Sequence, residues 1–225
     1  WKGYLKGLYD TLEAPCDILV IGSARLSIYR RHSDSLFGRH YNFRLHPFSI
    51  REMERADSLS PDEVIDALFS RSLRRRRKRQ ENLDDLMRFG PFPEPLFRQN
   101  EQKAILWRRS REKMVIREDL RDISRLPDLS RIEMLASLLP DRVGSLLRLQ
   151  SLREDLFASH DSVNRWMSYM RELYYAFEIK PYAKSIPRSL RKEGKLYLWD
   201  FGAVKDKSAR FENLVACHLL KACHF

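Results

Sequence analysis

Apolar positions at the start of the chain recur with helical period. Trp1, Tyr4, Leu5, Leu8 and Leu12 share one side of a helix predicted over 1–13, which Ala14-Pro15 ends. Asp17-Ile18-Leu19-Val20-Ile21-Gly22 is a continuous apolar run closed by glycine, the pattern of a strand buried on both faces of a parallel sheet. Tyr41-Asn42-Phe43-Arg44-Leu45 alternates, reads as a second short strand, and is ended by Pro47. A helix followed by a buried strand is an α/β unit. A parallel strand needs ladder partners for its backbone groups, and the first half of the chain has one convincing core strand. The other strands of that sheet are therefore expected outside this chain.

The rest of the pattern is mostly helical. Ser60-Pro61-Asp62-Glu63 opens a helix, with serine as N-cap, proline at the first helical position and glutamate to complete a capping box. That helix runs through an arginine-rich stretch to a break at Gly90-Pro91-Phe92-Pro93-Glu94-Pro95, and a long helical region over 96–149 follows, interrupted near Pro127 and Pro140. Residues 151–157 read as a short helix, Ala158-Ser159-His160-Asp161 as a turn, and 162–175 as a longer helix capped by Asp161 or Ser162. On the longer helix Val163, Trp166, Met167, Met170, Leu173 and Tyr174 face the core, leaving Ser162, Asn164, Arg165, Ser168 and Arg171 outward. Two alternating runs, 177–182 and 195–199, then read as strands, and Arg188, Arg191, Lys192 and Lys195 gather in the connection that ends at Gly194. The whole is a helix-turn-helix with a basic wing. A final amphipathic helix over 209–225 places Phe211, Leu214, Val215, His218, Leu219 and Ala222 on one face.

Composition sharpens this picture. The 225 residues are 43% hydrophobic, enough for a sizeable core, and two modest domains fit better than one. Lys and Arg number 42 against 31 Asp and Glu, a net charge of +11, which favours polyanions and nucleic acid first among them. The outward residues of the second helix are types that reach phosphates and base edges in a major groove. DNA is thus the expected partner, contacted by Asn164, Arg165, Ser168, Arg171, Arg188, Arg191 and Lys192. The run Arg71, Arg74, Arg75, Arg76, Arg77, Lys78 and Arg79 also reads as a solvated helix face, and winged helices also pack against other domains, so a homo-oligomer contact is the other expectation. Cys16, Cys217 and Cys223 form no framework pattern, which points to a reducing, cytoplasmic setting. No apolar run approaches the roughly 20 residues that span a bilayer, so no membrane insertion is expected. Trp1 in place of an initiating methionine marks a processed chain or a fragment.

In their order along the chain, several motifs resemble one family: prokaryotic AAA+ ATPases whose nucleotide-binding core is followed by a winged helix and an accessory domain related to restriction-endonuclease-like nucleases. Ile18-Leu19-Val20-Ile21-Gly22-Ser23-Ala24-Arg25-Leu26 resembles the sensor-1 strand and its turn. Asp34-Ser35-Leu36-Phe37-Gly38-Arg39 resembles a Leu-x-Gly-Arg loop, and Leu45-His46-Pro47-Phe48-Ser49-Ile50-Arg51-Glu52 the segment leading to the lid. Gly90 to Pro95 is similar to a lid element, with proline at its second glycine, and Arg117-Glu118-Asp119-Leu120 to the start of the accessory region. Leu196-Tyr197-Leu198-Trp199-Asp200 and Arg210-Phe211-Glu212-Asn213-Leu214-Val215 are similar to the start of the nuclease-like part. The resemblance implies an α/β, predominantly helical chain: part of an AAA+ core and lid over 1–115, a helical linker and winged helix-turn-helix over 116–195, and the start of a nuclease-like domain over 196–225.

It also implies ATP and Mg2+ as cofactors of the intact parent protein. Ser23, a polar side chain at the carboxyl end of the strand, is placed to orient the attacking water, and Arg39 to act as an arginine finger across a subunit boundary. The departures are as informative. No Gly-x-x-x-x-Gly-Lys-[Ser/Thr] loop occurs, and no strand ends in the acidic pair that holds magnesium, so this chain alone is not expected to hydrolyse ATP. Glu212 matches a nuclease-like first-helix glutamate, but one carboxylate does not hold a catalytic metal, and no nuclease activity is inferred. Cys217-His218 and Cys223-His224 lie on one continuous helix that splays them apart, so no metal site is expected. His32, His40 and His46 have no placed carboxylate and serine, so nucleophilic catalysis is not expected either. A nonenzymatic winged-helix DNA-binding module is the alternative to the ATPase.

Overall fold

In the computed structural model, which describes residues 2–11, 18–22, 41, 43–54, 77–119, 128–182 and 192–224, the chain divides into two units, Trp1–Leu45 and His46–Phe225. The first unit carries helix α1, Lys2–Thr11, within the range its periodicity predicts. Thr11 Oγ1 donates to the Gly7 carbonyl at 2.8 Å in its last turn. The buried strand expected over 17–22 is not formed by its described residues. Residues 18–22 take part in no ladder, and Leu19 and Ile21 are 80% and 82% exposed. An apolar run becomes a buried strand only when neighbouring strands bond its backbone, and among the described residues none does. The alternating run at 41–45 forms no strand for the same reason, and Leu45 is 98% exposed. The helix expected from Ser60 to the break at Gly90 lies outside the described residues up to Arg76, and its remainder is helical.

In the second unit α2, Ile50–Met53, is a single turn headed by Ser49, whose N–H and hydroxyl both donate to Glu52 Oε2 at 2.8 Å. Helix α3, Arg77–Phe89, stops at Gly90, whose φ of +86° suits a residue without Cβ. Proline then begins α4, Pro93–Arg98. The continuous helix expected from 96 is instead broken two residues further on. Gln99 turns left-handed with φ +47°, and Asn100 caps α5, Glu101–Met114, by accepting the Lys103 N–H at 2.9 Å. With neither glycine nor proline at this break, only the asparagine marked it.

A π-helical turn, Val115–Asp119, prolongs α5 and buries Val115 and Ile116. Helix α6, Leu129–Leu138, passes through a 3₁₀ turn at Leu139–Arg142 with Pro140 in its first turn. Helices α7, Leu149–Leu156, and α8, His160–Glu172, follow. Ile132, Leu135, Leu152, Val163, Trp166, Met167 and Met170 meet in one fully buried core. Each such side chain contributes roughly 1.5–3 kcal/mol by leaving water. Tyr174, expected to face this core, lies beyond the helix end with φ +53° and is half-buried.

Strands β1, Ala176–Ile179, and β2, Lys195–Leu198, pair antiparallel, with Phe177 opposite Tyr197 and the two rings stacked at 5.6 Å. The outer edge of β2 is bonded as well. Leu147 N–H donates to the Gly194 carbonyl at 2.8 Å, Leu196 N–H to the Ser145 carbonyl at 3.1 Å, and Gly144 N–H to the Leu196 carbonyl at 2.9 Å. A 3₁₀ turn, Phe201–Ala203, leads to α9, Lys207–Ala222, capped by Asp206, which accepts the Ala209 N–H at 2.8 Å. A second apolar cluster of Leu86, Phe89, Leu96, Phe201 and Leu214 ties α3, α4 and α9 together. The described residues are thus mostly helical, with one two-stranded sheet.

The buried face of α9 differs from the expected one. Leu214 is buried, but Phe211, Val215 and Leu219 are exposed, and Asn213, Ala216 and the half-buried Cys217 face inward instead. Polar contacts set this rotation. Asn213 bonds the backbone of β2, and Arg210 Nη1 donates to the Met87 carbonyl at 2.7 Å and Nε to the Val204 carbonyl at 2.5 Å. Buried hydrogen-bonding groups left open cost more than three exposed apolar side chains.

Candidate nucleic-acid interface

Helices α7 and α8 meet across a short turn. Phe157 ends α7 in the left-handed region, φ +47°, and Ala158 N–H reaches back to the Arg153 carbonyl at 3.1 Å. Ser159 then caps α8, its hydroxyl oxygen accepting the Ser162 N–H at 3.2 Å. The cap lies two residues before the earlier of the two expected positions, so α8 begins at His160 rather than 162. The apolar spacing set the helix phase correctly but not its first turn, where serine, histidine and aspartate carry no periodicity.

With Val163, Trp166, Met167 and Met170 buried, the outward side of α8 carries exposed Asn164 and Arg165 near its start. Ser168 is half-buried, and its hydroxyl donates to Glu172 Oε1 at 3.4 Å. Arg171 is engaged by the hairpin: its Nη1 donates to Glu178 on β1, whose side chain is 10% exposed. Lys180 joins the same carboxylate at 3.4 Å and donates to the Lys192 carbonyl at 3.0 Å. Lys192 is exposed, while Arg188 and Arg191 lie outside the described residues, as do Ser23 and Arg39. The structure therefore brings Asn164, Arg165, Ser168 and Arg171 onto one helix flank beside the hairpin, and it commits Arg171 and Lys180 to holding that hairpin.

Two polar clusters join residues whose contacts the sequence did not predict, although Asp200, Arg210 and Glu212 stand in the motifs quoted above. Behind β2, Asp200 is buried, its Oδ1 accepting the Gly202 N–H at 3.0 Å and its Oδ2 lying 3.6 Å from Arg108 Nε. Burial raises its carboxyl above the usual range, against the opposing pull of Arg108, Arg111 and Arg210. Arg108 Nη2 also donates to the Phe89 carbonyl at 2.5 Å, and the Arg111 guanidinium lies 4.3 Å over the Phe92 ring. The spacing of Arg108 and Arg111, one helical turn apart, was the available clue. The second cluster is Glu212, which accepts from Lys195 Nζ at 2.9 Å and Tyr197 Oη at 2.7 Å, bonds that hold its carboxyl below the ordinary value. Among the described residues its basic partner is the lysine of β2, so this glutamate works as a tie between α9 and the hairpin.

Among the described residues no group of three or more His, Cys, Asp or Glu side chains is placed to hold a metal ion, and no helix is long and apolar enough to cross a membrane. Cys217 Sγ is directed at the Leu198 carbonyl at 3.3 Å, and burial pushes its thiol up.

Compared with known families, residues 80–208 match the model of a domain of unknown function, DUF8612, over more than half of the chain. The chain belongs to this family. The DUF8612 match takes in α4 to α8 and the hairpin, together with most of α3 and the first two residues of α9. Residues 1–54 match an AAA domain. No curated protein and no solved structure matches the chain. AAA domains bind ATP with Mg2+, and the described residues do not fit that pair. Those of the first unit offer exposed apolar side chains at 18–22 and no phosphate-cradling loop.

Proposed function

We propose that the chain is the nucleic-acid-contacting part of an AAA-type ATPase, in which α7, α8 and the β1-β2 hairpin of the DUF8612 region serve as a winged helix on DNA. One observation carries this reading: α8 buries Val163, Trp166, Met167 and Met170 and leaves Asn164 and Arg165 exposed on its outward side. A helix so anchored keeps its outward side rigid, as groove insertion requires. The net charge of +11 supplies the long-range attraction. Arg188, Arg191 and Lys192 complete the wing contacts in this reading.

The AAA match over 1–54 supports the ATPase side, with Ser23 orienting water and Arg39 reaching a neighbouring subunit. This chain by itself holds neither ATP nor Mg2+ in that scheme. Fluorescence anisotropy of a labelled duplex, titrated with the 225-residue chain from low to physiological salt, tests the DNA reading. Affinity that falls steeply with salt supports it, and absent or salt-insensitive binding refutes it. Phosphate release by the chain alone, at a rate above blank, would refute the division of labour for ATP.

A further inference from the structure

Residues 46–54 belong to the AAA match by sequence but to the second unit by packing, and three contacts hold them, two on α9 and one on His224 just beyond its end. At the first, His218 Nδ1–H donates to the Leu214 carbonyl at 2.8 Å while its Nε2 accepts the Ile50 N–H at 3.1 Å. An imidazole performs both tasks only when neutral, because the charged ring has two donors and no acceptor. At the second, Lys221 Nζ donates to the Pro47 carbonyl at 3.0 Å and to Glu52 Oε2 at 2.5 Å. At the third, His46 Nε2 and His224 Nδ1 lie 2.8 Å apart, one donating and the other accepting, with the His46 ring centred 4.9 Å from the Trp199 ring.

We propose that the 46–54 segment is an acid-labile latch, closed on α9 by the neutral ring of His218 and released when that ring takes up a proton. Ile50 loses its acceptor on protonation of His218, and the incoming N–H of the ring opposes the amide. The groups facing His218 are Lys221 on its own helix and Glu52 on the segment. Burial lowers its affinity for a proton, the Leu214 bond opposes that, Lys221 adds to the lowering and Glu52 opposes it, and the net value lies below that of an ordinary histidine.

Glu52 does not titrate in the same window. Burial raises the Glu52 carboxyl, but hydrogen bonds from Lys221 and Ser49 outweigh it and hold the carboxyl below its usual value. Glu52 therefore stays charged while His218 changes state. Of the other surrounding side chains, Pro91, Trp199 and Phe201 do not titrate, and the Cys217 thiol is kept neutral by burial. The sign follows from the lowered value. The latch is fully closed above the unfolded histidine value of about 6.5 and weakens as pH falls below it towards the folded value.

Amide hydrogen exchange by NMR on the 225-residue chain tests the latch, with Met167 in the α8 core as an internal control. Between pH 7.5 and 5.5, after correction for intrinsic exchange, Ile50 is expected to lose several-fold, at most about tenfold, of its protection, since one linked proton with an open-state value of about 6.5 shifts the opening equilibrium by no more than that over this range. Met167 is expected to keep its own protection. In His218→Gln the amide group accepts from Ile50 and donates to Leu214 without titrating, so the pH-dependent loss at Ile50 should shrink. Should that variant misfold, the ring nitrogen shifts of wild-type His218 still decide, and a neutral ring protonated at Nδ1 is expected at pH 7.5. A charged ring or the Nε2–H form at that pH overturns the proposal. So does unchanged Ile50 protection, or a loss that Met167 shares.

Discussion

Asn213 satisfies both backbone groups of a single residue: its Oδ1 accepts the Leu198 N–H at 3.0 Å and its Nδ2 donates to the Leu198 carbonyl at 2.8 Å. A side-chain amide here takes the place of a neighbouring strand at the end of β2, in a position with no solvent access. Asn213→Ala should leave the buried Leu198 N–H open and its carbonyl with only the Cys217 thiol, and cost about 1–3 kcal/mol of stability. Urea denaturation measures this, and a loss below about 1 kcal/mol would mean that water replaces the amide.

Gly202 sits where β2 turns towards α9. A Cβ there would stand 2.5 Å from Arg108 Nη2 and 2.9 Å from Gly90 Cα. Arg108 has no easy retreat, since the Phe89 carbonyl and Asp200 hold it, and Gly90 is backbone. Gly202→Ala is therefore expected to destabilise the fold by about 1–3 kcal/mol, read as a lower thermal midpoint.

Phe157 is 86% exposed in a left-handed conformation that favours glycine. Its ring adds little packing, so Phe157→Gly removes backbone strain and should stabilise the chain by about 0.5–1 kcal/mol. A destabilised variant would reveal a packing role for the ring.

Arg165 and Arg171 share a helix flank but differ in their bonds. Arg165→Ala should weaken duplex binding and reduce the slope of log affinity against log salt by about 1, with stability unchanged. Arg171→Ala removes a partner of Glu178 and should lower stability by up to about 1 kcal/mol, with a smaller change in the salt slope. Anisotropy and denaturation on both variants separate the two roles.

What was legible in the sequence lay where one physical period dominated. Helix α8 and the alternating runs of the hairpin were readable because Val163, Trp166 and Met170 repeat at helical spacing and Phe177 and Tyr197 sit in alternating stretches. The α8 cap and the break at Gln99 and Asn100 were less legible, because a turn there depends on one side-chain bond rather than on a repeat. Arg171 looked like its neighbour Arg165 in the sequence, and only the hairpin folding back against α8 gave it Glu178.

The sequence by itself determined the order of the helices, the breaks at Gly90 and Pro93, the core side of α8 and the basic balance of the chain, all consequences of local geometry and composition. The tertiary structure alone decided which face of α9 is buried, because Asn213 and Arg210 find backbone partners on distant elements. It likewise decided that the apolar run at 18–22 stays exposed. Burial of such a run depends on neighbouring strands to bond its backbone, and a local pattern carries no information about whether they are there.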